Sequence, residues 1–420
     1  MDDDSIDVPL RNRRYGEPFV NPLTTAVRRL VDGVNFVRTH RQHLPLALGA
    51  ISSIRCEVVQ LDGRVKGTED DLTLLYVGRR LNYDYLVRTI FESVSTREAR
   101  RCNVFSSRRH AEELFESSDV LIADLGWPYN SRFGGDGESR ELPDWMNMIL
   151  DLGGQWPEVV ARFRGTTRRN DLRIIRRNRY RYEITKDRQA AAEFYGDMYV
   201  PYMTLRHEVD AVIEPKQHVQ DCASVGGLMQ IYQDDRVVAA GVLYPFDTVL
   251  GFLWMGVPRS LVHSPPEAVI SALYYFGIQY AHEQGYEAVD FMGTRAFLTD
   301  GAFKFKRKWG PALADTFSPG SIHIKPRNGS ERAVSFCRRF PIAARTQTGF
   351  EYVLVADTSP VPETAFRDCW EAVGCAGVQR MTIMEIADRD ETIAVPSGIE
   401  GCEFRLVRSR IDNFSKAYGS

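Results

Sequence analysis

The stretch from Glu287 to Gly310, EAVDFMGTRAFLTDGAFKFKRKWG, constrains this chain more than any other. Ala288, Val289 and Phe291 have the apolar character of a buried strand, Asp290 places a carboxylate inside it, and Gly293 ends it before Thr294 and Arg295. A charge pair of Asp290 and Arg295 is therefore expected at the carboxyl end of a strand. In open α/β sheets that edge is where ligands lie. Beyond it, Phe303, Phe305 and Trp309 alternate with Lys304, Lys306, Arg307 and Lys308, so that rings anchor the segment while cations stay free for an anion. A plainer arrangement uses the same residues: Asp290 neutralises Arg295, and the lysines form a solvated face.

The order of the flanking elements separates the two. Gly241 to Val257 holds the strand-like VLGFLWMGV, and Pro266 to Glu283 spaces Val269, Leu273, Phe276 and Tyr280 as a helix does. A strand ending in Asp290, Phe291 and Gly293, followed by Phe305, Lys306, Trp309 and Gly310, resembles the FemAB-like branch of the GNAT superfamily. The upstream RNDLRIIRRNRYRYEIT and FYGDMYVPYMTLRHE resemble that family's passage into its second domain. The resemblance runs from Arg162 to Gly310. It implies an α/β (α+β) fold in which a GNAT-like mixed sheet is flanked by helices, with two tandem GNAT-like subdomains and a C-terminal α/β extension. It also implies that the chain beyond the second domain returns to the first.

The implied activity is N-acyl transfer from acyl-CoA or aminoacyl-tRNA to the amine of a small molecule or peptide. Charge develops on the carbonyl oxygen during such a transfer, and a cation aimed at it gives the largest single gain. Lys306 matches the family's Phe-Lys position and takes that role. Asp290 and Arg295 would organise the site, and Tyr202 and Arg206 would anchor substrate, with Phe305 and Trp254 beside it. Trp254 reads equally as core. His207 is the candidate general base, although a lone histidine near a helix end is commonly a cap or surface residue.

The donor site departs from the family pattern. A CoA pyrophosphate needs free backbone N–H groups at the start of the helix after this strand, and here the sequence is GVPRSLVHSPPEAV. Ser264 to Glu267 reads as a capping box with proline at the first helical position. Two prolines remove donors, and Glu267 adds negative charge where the pyrophosphate would lie. The donor therefore stays open between acyl-CoA and aminoacyl-tRNA, with Arg259 and His263 as substitute contacts. Arg162, Arg164, Arg168, Arg169, Arg173, Arg176, Arg177, Arg179 and Arg181 make the strongest charge run in the chain. Guanidinium forks bind phosphates in pairs, so Arg173 and Arg176 are candidate ligands of a phosphate-bearing donor, tRNA included. The competing reading is a solvated face. A function of a different class also fits: a catalytically inactive GNAT-like module that recognises a phosphate-bearing ligand.

Composition sets outer limits. With 53 basic against 56 acidic residues and a net charge of -3, the 420-residue chain is no polycation, so any phosphate affinity is local. Seven scattered cysteines without CxxC spacing point to free thiols and to no metal site. An acidic start, MDDDSID, and the absence of any apolar run near ~18 residues argue against a signal peptide and a membrane span, and a cytoplasmic protein is expected.

The expected divisions are an arm and helix (1–48, with the helix from Pro22 to His40), an N-terminal α/β domain (49–155), the GNAT-like domain (156–320) and the extension (321–420). Within them the patterning predicts strands CEVVQL, LTLLYVG, RCNVF and DVLIADLG, and helices over NYDYLVRTIFESV, RRHAEELFES, Trp156–Arg169 and Asp187–His207. It also predicts a hairpin from Leu228 to Tyr244 turning at Asp234 and Asp235. Farther on come helices over Glu331–Arg345 and Pro362–Val373, and strands Tyr352–Ala356, MTIMEI and CEFRLV.

Overall fold

The computed structural model describes residues 55–78, 82–125, 129, 132–134, 137–207, 213–314, 321–362, 364–399 and 401–420, with the side chains of 207 and 396–398 excepted. The expected helix from Pro22 to His40 lies outside the described residues. The described residues build three mixed sheets flanked by helices, an α/β architecture. The first is a six-stranded sheet of order β3-β1-β2-β4-β13-β5. It is made from β1 (Arg55–Val65), β2 (Asp71–Gly78), β3 (Phe91–Asn103), β4 (Val120–Asp124), β5 (Arg140–Pro143) and β13 (Ser321–Pro326). Helices α1 (Tyr83–Ile90) and α2 (Val104–Phe115) connect its strands. β13 inserts between β4 and β5, so the chain past residue 320 does return to the first sheet.

One helix expectation fails here. Helical residues stop at Ile90, and FESVSTREARRCN is an edge strand paired along β1, with Cys56 opposite Cys102. The β-branched Val94 and Thr96 favour extended backbone. Both faces of this strand are largely exposed, so no alternation of burial marks it in the sequence.

The second sheet, order β12-β6-β11-β10-β9-β8-β7, holds the stretch from which the sequence argument began. Its strands are β6 (Met146–Asp151), β7 (Arg181–Thr185), β8 (Leu228–Gln233), β9 (Arg236–Phe246), β10 (Val249–Gly256), β11 (Ala288–Thr294) and β12 (Ala312–Ala314). β8 and β9 form the expected hairpin, with Asp234 at φ 53° in its turn. The helix expected over Trp156–Arg169 divides into α3 (Trp156–Arg162) and a π turn (Thr167–Asp171) that runs on into α4 (Leu172–Arg177). That expected over Asp187–His207 forms as α5 (Arg188–Glu193), a π turn (Phe194–Tyr199) and α6 (Val200–His207). α7 (Lys216–Val225) follows, α8 (Val269–Glu283) joins β10 to β11, and α9 (Gly301–Arg307) comes after β11. Phe252, Tyr274 and Phe291 pack edge to face or tilted with centroids 5.1–5.5 Å apart, and Trp309 stacks on Tyr274 at 6.0 Å. This aromatic core holds α8 and the end of α9 against β10 and β11.

The third sheet, order β14-β15-β16-β18-β17, contains β14 (Ile342–Arg345), β15 (Phe350–Val355), β16 (Val378–Ile386), β17 (Glu391–Ile399) and β18 (Cys402–Ser409). Its helices are α10 (Glu331–Arg339), α11 (Ala365–Val373) and α12 (Phe414–Gly419). The helix expected over Glu331–Arg345 ends at Arg339, because Pro341 disfavours helical backbone at the residue before it, and β14 follows. A buried ion pair, Arg140 with Glu351 at 3.0 Å, ties β5 of the first sheet to β15 of the third. All seven cysteines are free thiols. No described helix is long and apolar enough to cross a membrane.

Candidate active site

β10 and β11 run parallel for only three residue pairs, Val249 with Ala288, Leu250 with Val289 and Gly251 with Asp290. Past that point β10 continues along β9 to Gly256, while β11 follows β6. The two strands part at the carboxyl end of the sheet, and β11 is irregular where they part. Its register with β6 slips between Asp290 and Gly293, and Met292 takes a left-handed φ of 63°, which a side chain adopts only when its surroundings impose it.

Two side chains impose it. Asp290, fully buried, accepts the Met292 backbone N–H at 2.7 Å and the Asn147 amide at 2.9 Å. Lys306 Nζ donates to the Gly293 carbonyl at 2.7 Å and the Met292 carbonyl at 3.3 Å. Lys306 is aimed there by its helix. Asp300 caps α9 by accepting from Phe303 N at 2.9 Å and holds Thr294 Oγ1 at 3.2 Å, which fixes the first turn against β11. Trp309 is sunk in the core, and Gly310, at φ 74°, supplies the left-handed residue that ends the segment.

Burial lowers the Lys306 ammonium from the usual lysine value to about 8, with Asp290 and then Asp300 opposing the shift. It is mainly cationic at neutral pH. An ammonium has three N–H donors, and the two carbonyls take two, so one has no acceptor among the described residues.

Arg295 does not join this pair as expected. Its guanidinium lies over the Trp145 ring at 3.8 Å and the Tyr85 ring at 4.5 Å, and donates to Asn82 Oδ1 at 2.8 Å and the Asp144 carbonyl at 3.3 Å. Burial lowers its pKa, opposed by Tyr85, Asp144, Asp300 and Asp124. Asn82 in turn donates to Asp124 at 3.2 Å and Asp144 at 3.4 Å, beside the carboxyl ends of β2 and β4. Arg295 thus joins the first sheet to the second. Trp145 also covers the bulge: a Cβ on Gly293 would come within 2.9 Å of its ring, yet the indole remains 44% exposed. No sequence motif singles out Trp145 or Asn147. The alternation of buried Met146, Met148 and Leu150 is the signal that places them at the start of a strand.

The other candidates spread around this centre. Phe305 packs its ring edge on Tyr274 at 5.0 Å and lies 4.2 Å from Lys308 Nζ, which bridges to Asp171 at 2.8 Å and Ser271 at 2.9 Å. Trp254 sits against Tyr199 and His218, with centroids 6.3 and 5.3 Å away, in a cluster beneath α5 to α7. Tyr202 is buried in the core, which raises its pKa, and the exposed Arg206 lies over its ring at 5.2 Å. His207 ends α6, and its side chain is outside the described residues. Arg259 and His263 lie exposed on the connection leaving the carboxyl end of β10, where Arg259 donates to the Gly196 carbonyl at 3.3 Å.

The expected capping box at Ser264 to Glu267 does not form. α8 starts at Val269, its N-cap is Ala268 in a left-handed conformation, and no side chain caps it. The physical reason is competition: Glu267 is held by Arg177 through its carboxylate, and by Tyr180 Oη at 2.9 Å and Asn178 at 3.2 Å through its carbonyl. The start of α8 is therefore clamped to the end of α4. Arg173 and Arg176 are exposed on α4, and Arg176 also bonds to the Leu172 carbonyl of its own helix at 3.2 Å.

Solved structures similar to this chain include FemX, at 13% identity over 63% of this chain and 83% of that one, with a TM-score of 0.34. L-PGS from Bacillus licheniformis is 14% identical over 67% and 84%, with a TM-score of 0.32. A GCN5-related N-acetyltransferase from Kribbella flavida is 14% identical over 61% and 82%, with a TM-score of 0.23. No family model matches the chain, and no curated protein matches it.

Proposed function

We propose that the chain is an N-acyltransferase that moves an acyl or aminoacyl group onto an amine, with the reacting carbonyl held where β10 and β11 part. One observation carries the reading: a desolvated Lys306 ammonium at that opening, fixed by two carbonyls and with one N–H that has no acceptor among the described residues. In the reaction the amine nitrogen attacks the carbonyl carbon and the π electrons move to oxygen. Lys306 stabilises the oxyanion in a site where charge is poorly screened. Collapse expels the thiolate of CoA or the ribose oxygen of a tRNA, and the proton that the nitrogen gives up ends on that leaving sulfur or oxygen. Asp290 keeps the bulge in the shape that presents Lys306. The exposed Arg173 and Arg176, on the helix whose end clamps the start of α8, suit the phosphates of either donor.

A binding module without catalysis is the second reading, and one observation favours it: holding the Met292 and Gly293 carbonyls is also what a purely structural lysine would do. Transfer of a labelled acyl group from acetyl-CoA or from aminoacyl-tRNA to a panel of amines separates the two. The expected result is transfer from at least one donor, reduced about 10²-fold in Lys306→Met. Stabilisation of the parent by a donor without transfer to any amine would favour the binding module.

A further inference from the structure

The third sheet carries chemistry that acyl transfer does not use. One of its faces is closed by α11, where Phe366 and Trp370 pack on Phe404 with centroids 5.2 and 6.3 Å away. On the other face, side chains cross the strands in register, Glu351 beside Arg380 beside Glu403, and Thr382 beside Arg405 beside Ala394. Toward β15 this face is filled: Arg140 reaches in from the first sheet to Glu351, and Thr382 donates its hydroxyl to the same carboxylate. Toward β17 it is open, because Ala394 is too small to fill the space beside Arg405. A groove of about 660 Å³ remains there, lined by Arg380, Arg405, Glu403, Thr392 and Ala394.

Among the described residues the charges around the groove do not balance. Three guanidiniums, Arg140, Arg380 and Arg405, meet two carboxylates, Glu351 and Glu403. Glu351 is taken by Arg140 and Thr382, and Glu403 lies 3.6 Å from Arg380. Arg405 is half-buried and has no hydrogen-bond acceptor among the described residues. Burial lowers its pKa, with Glu351 opposing and Arg380 and Arg140 adding to the effect. A guanidinium offers five donors in a flat fork that matches two oxygens of one anion. The groove's volume falls in the range of small-molecule sites.

We propose that this groove binds a small oxyanion-bearing metabolite, carboxylate or phosphate, with Arg405 as its two-pronged anchor and Arg380 as the second cation. The site is independent of the chemistry at Lys306.

The test is calorimetric titration of the full chain with inorganic phosphate and, separately, with citrate, supported by thermal shift. Arg389→Gln is the control, an exposed arginine paired with Glu391 at 3.0 Å and outside the groove. The expected result is saturable binding of one probe to the parent and to Arg389→Gln, weakened about tenfold or more in Arg405→Gln. Which probe binds distinguishes a phosphate ligand from a carboxylate one. Because Arg405 makes no hydrogen bond among the described residues, ligand-free Arg405→Gln should melt no lower than the parent. If it fails to fold, Arg380→Gln carries the same expectation for binding. No binding of either probe below about 10 mM, or equal affinity in parent and groove variants, overturns the proposal.

Discussion

Raising the pH through 8 should switch off the proposed acyl transfer, and the fall should belong to Lys306. Burial brings its ammonium to about 8, so the group is about 90% charged at pH 7 and about 10% charged at pH 9. Only the charged form stabilises an oxyanion well, and losing one such donor typically costs about 10²-fold. The rate should therefore drop by up to about tenfold per pH unit above 8 and level off about 10²-fold down. A lysine at its ordinary value would keep the rate nearly flat to about pH 10. Deprotonation of the acceptor acts with the opposite sign, so the assay should use single-turnover transfer to an arylamine that is already neutral at pH 7. Lys306→Arg keeps its charge throughout and should lose the alkaline limb, whereas Lys306→Met should be slow at every pH. Circular dichroism at each pH would establish that the fold persists. A parent profile flat to pH 10 would refute the cationic role. A rate rising through pH 8 would instead make the neutral amine of Lys306 the working form.

The same group should leave a signature in stability. Native Lys306 loses its proton near 8 and the unfolded lysine near its ordinary 10.5, so between these values the unfolded state binds more protons and stability rises with pH. The urea midpoint of the parent relative to Lys306→Met should climb from pH 8 to 10, and a difference independent of pH would contradict the burial of the charge. Asp290→Asn should cost about 1–3 kcal/mol in urea unfolding, since the new amide N–H faces a donor where a carboxylate oxygen accepted; an unchanged midpoint would remove Asp290 as the support of the bulge. Glu351→Ala should destabilise by about 3–5 kcal/mol by leaving Arg140 buried without its carboxylate. Hydrogen exchange should then quicken first in β5, β15 and β16, and uniform protection would show that this pair does not hold the third sheet to the first. Replacing Arg173 and Arg176 with Gln should weaken whichever donor is active and flatten the salt dependence of its binding; equal affinity and slope would make them surface decoration.

Much of the second sheet could be read from short windows of sequence. The β8 and β9 hairpin, the apolar spacing of α8, the Asp290 strand and the α9 segment ending at Gly310 each depend on periodicity or turn chemistry within about a dozen residues. Those signals also singled out Asp290, whereas Lys306 was marked by the resemblance to the family's Phe-Lys position. Elements whose burial departs from simple alternation stayed hidden. β3 has two exposed faces, β6 buries the polar Asn147 between Met146 and Met148, and β17 contains Pro396, a residue that argues against a strand.

Partner choice was decided only by the tertiary structure. Arg295 sits five residues from Asp290 in the chain, yet it donates at 2.8 Å to Asn82, 213 positions away. Ser264 to Glu267 has the local pattern of a cap, but the side chain of Arg177 and the ring hydroxyl of Tyr180 reach Glu267 first. The setting of Arg405, without a hydrogen-bond acceptor among the described residues, arises from three strands and a neighbouring sheet brought into register. Local patterns specify which backbone states a segment favours, because those energies act between near neighbours. Which charge meets which, and where two parallel strands part, depends on surfaces that meet only after the sheets pack.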